Sequence, residues 1–171
     1  MNERKGIVTF QGKPLTLVGN EVKVGSNALD ATLLDNNLNP VKLSSFRGKI
    51  CVITTVPSLD TPVCDTEVRR FNQEAVKLDE NVVVLAISAD LPFAQARWCG
   101  AAGVNKVKTL SDHFDVSFGR AYAVLIKELR LLARSIFVLD KEGAVRYTQL
   151  VKEITNEPDY AAVLTEVKKL L

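Results

Sequence analysis

The sequence predicts an α/β fold, a central mixed sheet flanked by helices with a β-hairpin added at the N-terminus. Three observations carry that expectation. Residues 50–56 and 82–87 are β-rich runs, apolar on both faces, as central strands of a covered sheet must be. The stretch between them has apolar residues at helical spacing, so strand, helix and strand form a right-handed parallel crossover. Residues 135–139 and 144–148 flank the short turn Asp140-Lys141-Glu142-Gly143, which makes the last two strands antiparallel.

In chain order, residues 7–10 and 15–18 are short β-rich runs around Gln11-Gly12-Lys13-Pro14, where Gly and Pro mark a turn. Residues 25–49 are polar and Asn-rich and read as loops with short strands. Pro57 ends the first buried strand. Thr61-Pro62-Val63-Cys64-Asp65 then opens a helix, with a hydroxyl cap followed by Pro at the first helical position, and Val68, Phe71, Ala75 and Leu78 mark its apolar face. After the second buried strand, Asp90 and Pro92 start a short helix carrying Phe93, Ala96 and Cys99, with its stop at Gly100 or Gly103. A short strand is expected near 107–110, and a loop or helix near 112–120. The last helix follows Pro158 and presents Tyr160, Val163, Leu164, Val167 and Leu171 on one face. From residue 50 the order is β-α-β-α-β-β-α, which is the order of a thioredoxin-like sheet. No repeat or linker divides the 171 residues, so 1–171 reads as one domain with 1–20 as its hairpin.

Composition narrows the function. The chain is 47% apolar, enough for an ordinary core without staples, and 22 Lys plus Arg nearly balance 20 Asp plus Glu. No block of like charge suggests nucleic acid, and no apolar run approaches the roughly 20 residues that cross a bilayer. The N-terminus lacks a signal-peptide core, so a cytoplasmic protein is expected. Three cysteines are too few for a disulfide framework; with one histidine and no C-x-x-C pair, a metal site is not expected.

Cys64 stands out among the three. If Thr61 caps the helix, Cys64 is its third residue, among N–H groups without intrahelical partners and at the positive end of the dipole. Such a place favours thiolate, the nucleophilic form, over thiol. A buried apolar cysteine near a helix start is the plainer alternative. Cys51 lies inside a fully apolar strand and reads as core. Cys99, beside Trp98, reads from its own stretch as half-buried packing.

Pro57-Ser58-Leu59-Asp60-Thr61-Pro62-Val63-Cys64 matches the P-x-x-x-T-x-x-C signature of peroxiredoxins. More narrowly, the chain resembles the thiol peroxidase subfamily, the atypical two-cysteine enzymes. The likeness runs through Ala96-Arg97-Trp98-Cys99, Thr109-Leu110-Ser111-Asp112-His113, Ala133-Arg134-Ser135 and Asn156-Glu157-Pro158-Asp159. It implies that Cys64 attacks the peroxide and that Cys99 resolves the sulfenic acid as an intramolecular disulfide, which a thioredoxin-like dithiol reduces. It further implies that Thr61 hydrogen-bonds the thiolate or peroxide oxygen, that Pro57 shields the pocket from water, and that Arg134 holds the thiolate and polarises the peroxide. A guanidinium suits that last role, being always charged with donors in a fixed fork. The substrates implied are hydrogen peroxide and organic hydroperoxides, no cofactor is needed, and the usual assembly is a homodimer.

The chain departs from the family at Ala28-Leu29-Asp30-Ala31, where Ala-Pro-Asp-Phe is usual, and at Tyr122-Ala123-Val124, where Tyr-Gly-Val is usual. Two rival functions remain at this point: a thiol-based peroxide sensor that passes its oxidation to a partner, and a non-catalytic thioredoxin-like binding module.

Overall fold

The computed structural model describes residues 1–75 and 77–171. At the N-terminus β1 (Glu3–Phe10) and β2 (Lys13–Val18) pair antiparallel, with Phe10 opposite Lys13. The two turn residues, Gln11 and Gly12, have φ of 50° and 76°, the left-handed pair that a tight two-residue hairpin requires. β1 starts well before the expected residue 7. A register shift between Lys5 and Val8, with Gly6 at φ 67°, breaks the alternation that would have marked its first half.

Next come β3 (Thr32–Leu34), β4 (Pro40–Lys42) and a 3-10 turn at Leu43–Phe46. The crossover unit consists of β5 (Ile50–Thr55), α1 (Pro62–Ala75), β6 (Val82–Ser88), α2 (Pro92–Ala102) and β7 (Lys108–Ser111). α2 runs through Gly100 and stops at Gly103, which takes the left-handed C-cap conformation at φ 66°. α3 (Ser117–Ala121) and β8 (Leu125–Ile126) follow. The chain closes with β9 (Ser135–Leu139), β10 (Val145–Leu150) and α4 (Tyr160–Leu170).

The main sheet has the order β10-β9-β5-β6-β7-β3-β4. β5, β6 and β7 are parallel, and the flanking strands are antiparallel to their neighbours. This is the predicted mixed sheet. β1, β2 and the unpredicted β8 form a separate three-stranded sheet.

Alternation along the central strands divides the core into two layers. Ile50, Val52, Val84, Ala86, Ile136 and Val138 face α1, α2 and α4, meeting Val68, Phe71, Trp98 and Val163. Cys51, Ile53, Leu85, Ile87 and Phe137 face the other way, against Leu17 of the hairpin and the stacked Phe118 and Tyr122. Each buried Val, Leu, Ile or Phe among them contributes roughly 1.5–3 kcal/mol by leaving water. In α4 the buried residues are Tyr160, Val163 and Val167, but Leu171 is 56% exposed, contrary to expectation. The helix stops at Leu170, and that residue packs on the core instead.

At the departure Tyr122-Ala123-Val124, Ala123 sits at φ 55°, a left-handed conformation that a glycine adopts without strain. Among the described residues, no helix is long and apolar enough to cross a membrane.

Candidate active site

The strand-to-helix junction after β5 builds the site. Pro57 ends the strand, and the loop that follows is anchored from outside itself: the Ser58 hydroxyl and the Leu59 amide both donate to the Asp90 carboxylate, at 2.7 and 2.8 Å. Asp90 lies just past the end of β6 and also accepts from Ser88 Oγ at 2.7 Å. The path of the chain into α1 is therefore set by the end of the neighbouring parallel strand. The Asp65 amide donates to the Thr61 carbonyl at 2.9 Å, so Thr61 occupies the N-cap position and Cys64 is the third helical residue. Its surroundings are those the sequence predicts: first-turn N–H groups without intrahelical acceptors and the positive end of a 14-residue helix.

Cys64 is wholly buried. Arg134 reaches it from the start of β9, and its Nη2 donates to Cys64 Sγ at 3.3 Å. The guanidinium is held on two further sides. Nε and Nη2 donate to the Ile154 carbonyl at 3.0 and 2.9 Å, and Nη1 donates to Glu67 Oε2. Glu67 is itself fully buried, and its second oxygen accepts from the Thr54 hydroxyl. Burial works against the charge on Arg134, but Glu67 and then the Cys64 sulfur outweigh it and raise its pKa above the ordinary arginine value. Burial pushes the Glu67 carboxyl up, with Arg134 and Thr54 opposing. The result is a buried sulfur facing a cation that three hydrogen bonds to two other partners hold in place.

Over these groups lies a cavity of about 310 Å³ with an almost wholly apolar wall, lined by Phe10, Pro57, Thr61, Leu131, Arg134 and Ile154 among others. Pro57 is buried in that wall. Thr61 reaches it too, but its hydroxyl donates to the Ser58 carbonyl at 2.9 Å; a Thr61 side-chain bond to the helix or to Cys64 is not among the contacts made. The structure thus places Pro57, Thr61 and Arg134 in the wall of one cavity, with the buried Cys64 reached through Arg134.

Cys99 is elsewhere. It is half-buried on α2, and its Sγ is 3.4 Å from Thr109 Oγ1 on β7, which in turn donates to Asn36 Oδ1. Cys51 is a core residue, 3% exposed, and burial pushes its thiol up to about 12, so it stays protonated and inert.

Glu67 is the site residue that the sequence reading missed. The available signal was its place three positions after Cys64, a carboxylate directly beside Val68 and Phe71 on the apolar face of α1. A charge there needs a buried partner.

Residues 23–164 match the model of the redoxin family. Over 164 residues the chain is 57% identical to a thiol peroxidase of Bacillus subtilis (strain 168), covering 96% of this chain and 98% of that protein. It is 52% identical over 162 residues to a thiol peroxidase of Oceanobacillus iheyensis, at 95% and 98% coverage. The crystal structure of a peroxiredoxin-like protein from Aquifex aeolicus superposes with a TM-score of 0.90 at 43% identity, covering 96% of both chains.

Proposed function

Because the chain belongs to the redoxin family, and within it to the thiol peroxidases of the peroxiredoxins, we propose that Cys64 is the sulfur that attacks the peroxide and Cys99 the one that resolves it. The activity is that of a thiol-dependent peroxidase, which consumes a peroxide and a thiol reductant; that identity does not favour a sensor or a non-catalytic binding module. One observation carries the assignment to Cys64: Arg134 Nη2 donates to its sulfur at 3.3 Å inside a closed site at the start of α1. A charge-assisted bond of this kind favours the negatively charged sulfur.

In the first step the Cys64 thiolate attacks one peroxide oxygen and the O–O bond breaks. The sulfur keeps the attacked oxygen, the other oxygen takes the peroxide's proton and leaves as water or an alcohol, and the sulfenate takes up from solvent the proton that the thiol had released, giving the sulfenic acid. Arg134 lines the cavity and steadies the negative charge as it moves from sulfur to the leaving oxygen. Thr61 lines the same cavity, and its hydroxyl would exchange the Ser58 carbonyl for the peroxide oxygen. Pro57 keeps water out, and the apolar wall suits organic hydroperoxides as well as hydrogen peroxide. Cys99 then displaces the hydroxyl of the sulfenic acid as water, and a thioredoxin-like dithiol reduces the disulfide.

The active unit in this reading is one domain spanning 1–171, acting in the cytoplasm as a homodimer. The test is peroxide-dependent NADPH oxidation coupled through thioredoxin and its reductase. Cys64→Ser, nearly isosteric, should abolish turnover with the fold intact; full activity in that variant would overturn the assignment.

A further inference from the structure

The two reactive cysteines are flanked by a pair of residues that bond to each other. Asp65 follows Cys64 directly, and Trp98 directly precedes Cys99. Trp98 Nε1 donates to Asp65 Oδ1 at 2.8 Å. Arg69, one turn along α1, donates through Nε to both Asp65 oxygens at 2.9 Å and through Nη1 to the Ala102 carbonyl in the last turn of α2, also at 2.9 Å. Its guanidinium lies 5.8 Å from the centre of the Trp98 ring. The helix that carries Cys64 is thus bonded to the Cys99 half of α2 by a single three-residue cluster.

Beyond this cluster, Trp98 packs in the core and Arg97 Nη2 meets the Asp60 carboxylate at 3.4 Å, an exposed pair worth little. No side chain caps its N-terminus, and Gly100 stands within it. Gln95 anchors the N-terminal half, donating to Ser88 Oγ and to the Leu110 carbonyl at 2.9 and 3.0 Å. Yet α2 must move if the cysteines are to join. Cys64 is bonded to Arg134 at the start of β9, and Cys99 touches Thr109 on β7. Each sulfur thus has its own partner on a different strand, and both cysteines are free thiols. A disulfide needs Cα atoms within about 7 Å.

We propose that Asp65 is a positioning residue for the second step of the reaction: through Trp98 and Arg69 it clamps the Cys99 helix in the reduced enzyme, and release of that clamp gates disulfide formation. This rests on the roles given above to Cys64 and Cys99. The gated step is balanced without any outside reactant: the Cys99 sulfur bonds to Cys64 Sγ, the sulfenic hydroxyl leaves, and the Cys99 proton completes it as water. While the clamp is closed the sulfenic acid waits, and a second peroxide can take it to the sulfinic acid, which a thiol does not reverse. The strength of the Asp65–Trp98 bond therefore sets how much peroxide the enzyme tolerates.

The experiment measures, by intact-mass spectrometry, the peroxide concentration at which half of Cys64 is trapped as sulfinic acid in one turnover. Trp98→Phe removes the donor and leaves every charge near Cys64 in place, and Asp65→Ala removes the acceptor. Both should raise that concentration about tenfold, equivalent to about 1.4 kcal/mol at the gate. Asp65→Asn keeps an acceptor for Trp98 and should fall between wild type and alanine, a rescue that loosened packing alone would not give. In the wild type, Trp98 is the single tryptophan, and its fluorescence should change with disulfide formation and not with the earlier peroxide step. An unchanged or lower half-point in Trp98→Phe and Asp65→Ala, with the Cys64–Cys99 bond found by peptide mapping, overturns the clamp alone. Absence of that bond in the oxidised wild type overturns the roles of the cysteines and the clamp with them.

Discussion

Glu67→Gln tests the construction of the site most directly, because it changes one charge and almost no shape. Glu67 has no exposed surface, and its two oxygens are divided between Thr54 Oγ1 and Arg134 Nη1. A glutamine has one oxygen for these two donors. If that oxygen stays with Arg134, the amide NH2 points at Thr54, whose hydroxyl then accepts and loses its own acceptor. Arg134, 1% exposed, meanwhile loses its counter-ion. Removing one partner of a buried ion pair costs about 3–5 kcal/mol, and the hydrogen bond that glutamine retains returns about 1 kcal/mol. The variant should therefore lose about 2–4 kcal/mol of stability.

Urea unfolding of the reduced protein near neutral pH measures this as a midpoint lowered by about 1–2 M, given a slope of about 2 kcal/mol per molar. Arg134 keeps its two bonds to the Ile154 carbonyl, so it stays near Cys64 with its fork less well aimed. Sulfenic acid formation, followed by rapid mixing, should slow about tenfold, which corresponds to about 1.4 kcal/mol of lost transition-state stabilisation. A stability loss below about 1 kcal/mol would mean that Glu67 sits protonated beside Arg134, with no ion pair to break. A large loss with an unchanged oxidation rate would mean that Glu67 serves the fold and not the aim of Arg134.

Arg134→Lys keeps a charge but not the fork, and should slow sulfenic acid formation more than disulfide reduction in the same rapid-mixing assay. Thr61→Ser should retain most of the peroxide step and Thr61→Val should lose about tenfold of it, if the hydroxyl turns from Ser58 to the peroxide as argued; equal rates would remove Thr61 from the mechanism. Cys51→Ala, in the core layer opposite Cys64, should cost about 1 kcal/mol in urea unfolding and leave coupled turnover nearly unchanged. Asp112 accepts from the Phe118 and Gly119 amides, and burial pushes its pKa from 3.8 up to about 6. The folded state therefore binds its proton more tightly, a stabilisation complete below the unfolded value and lost as pH rises through about 6. Relative to Asp112→Asn, the wild type should lose about 3 kcal/mol between about pH 4 and about pH 7.

The parts legible in the sequence are those whose cause is local. Residues 50–56 and 82–87 declared themselves as covered strands because both faces are apolar, and Pro62 marked the first helical position because its missing N–H costs nothing there. What stayed hidden depends on distant contacts. β8 is two residues long and exists as a strand only because β2 lies beside it. Arg134 looks like Arg69 or Arg130 in its own segment, and its burial comes from the Ile154 carbonyl and from Glu67, 20 and 67 positions away. Its place in the expected site came from family resemblance and from nothing local. The hydroxyl of Thr61 illustrates the same limit: the sequence marks the N-cap, and the backbone obeys, but the side chain goes to Ser58.

The N-terminal hairpin, legible from its turn, proves to be part of the site's support. Glu153 accepts from the Thr9 hydroxyl at 2.6 Å and from the Gln11 and Gly12 amides at 2.9 and 3.1 Å. These bonds hold its pKa down at about 2, so the tie is intact at neutral pH. The Thr9 amide also donates to the Lys152 carbonyl, and the Ile154 amide donates back to Thr9. The segment fixed in this way is the one whose Ile154 carbonyl receives two of the bonds that orient Arg134. Phe10, next to Thr9, lines the same cavity as Pro57 and Arg134. An element outside the central sheet thus supports the aim of the guanidinium and forms part of the cavity that Arg134 lines. Loosening the hairpin should reach the chemistry through the Ile154 carbonyl, without any hairpin residue touching the sulfur.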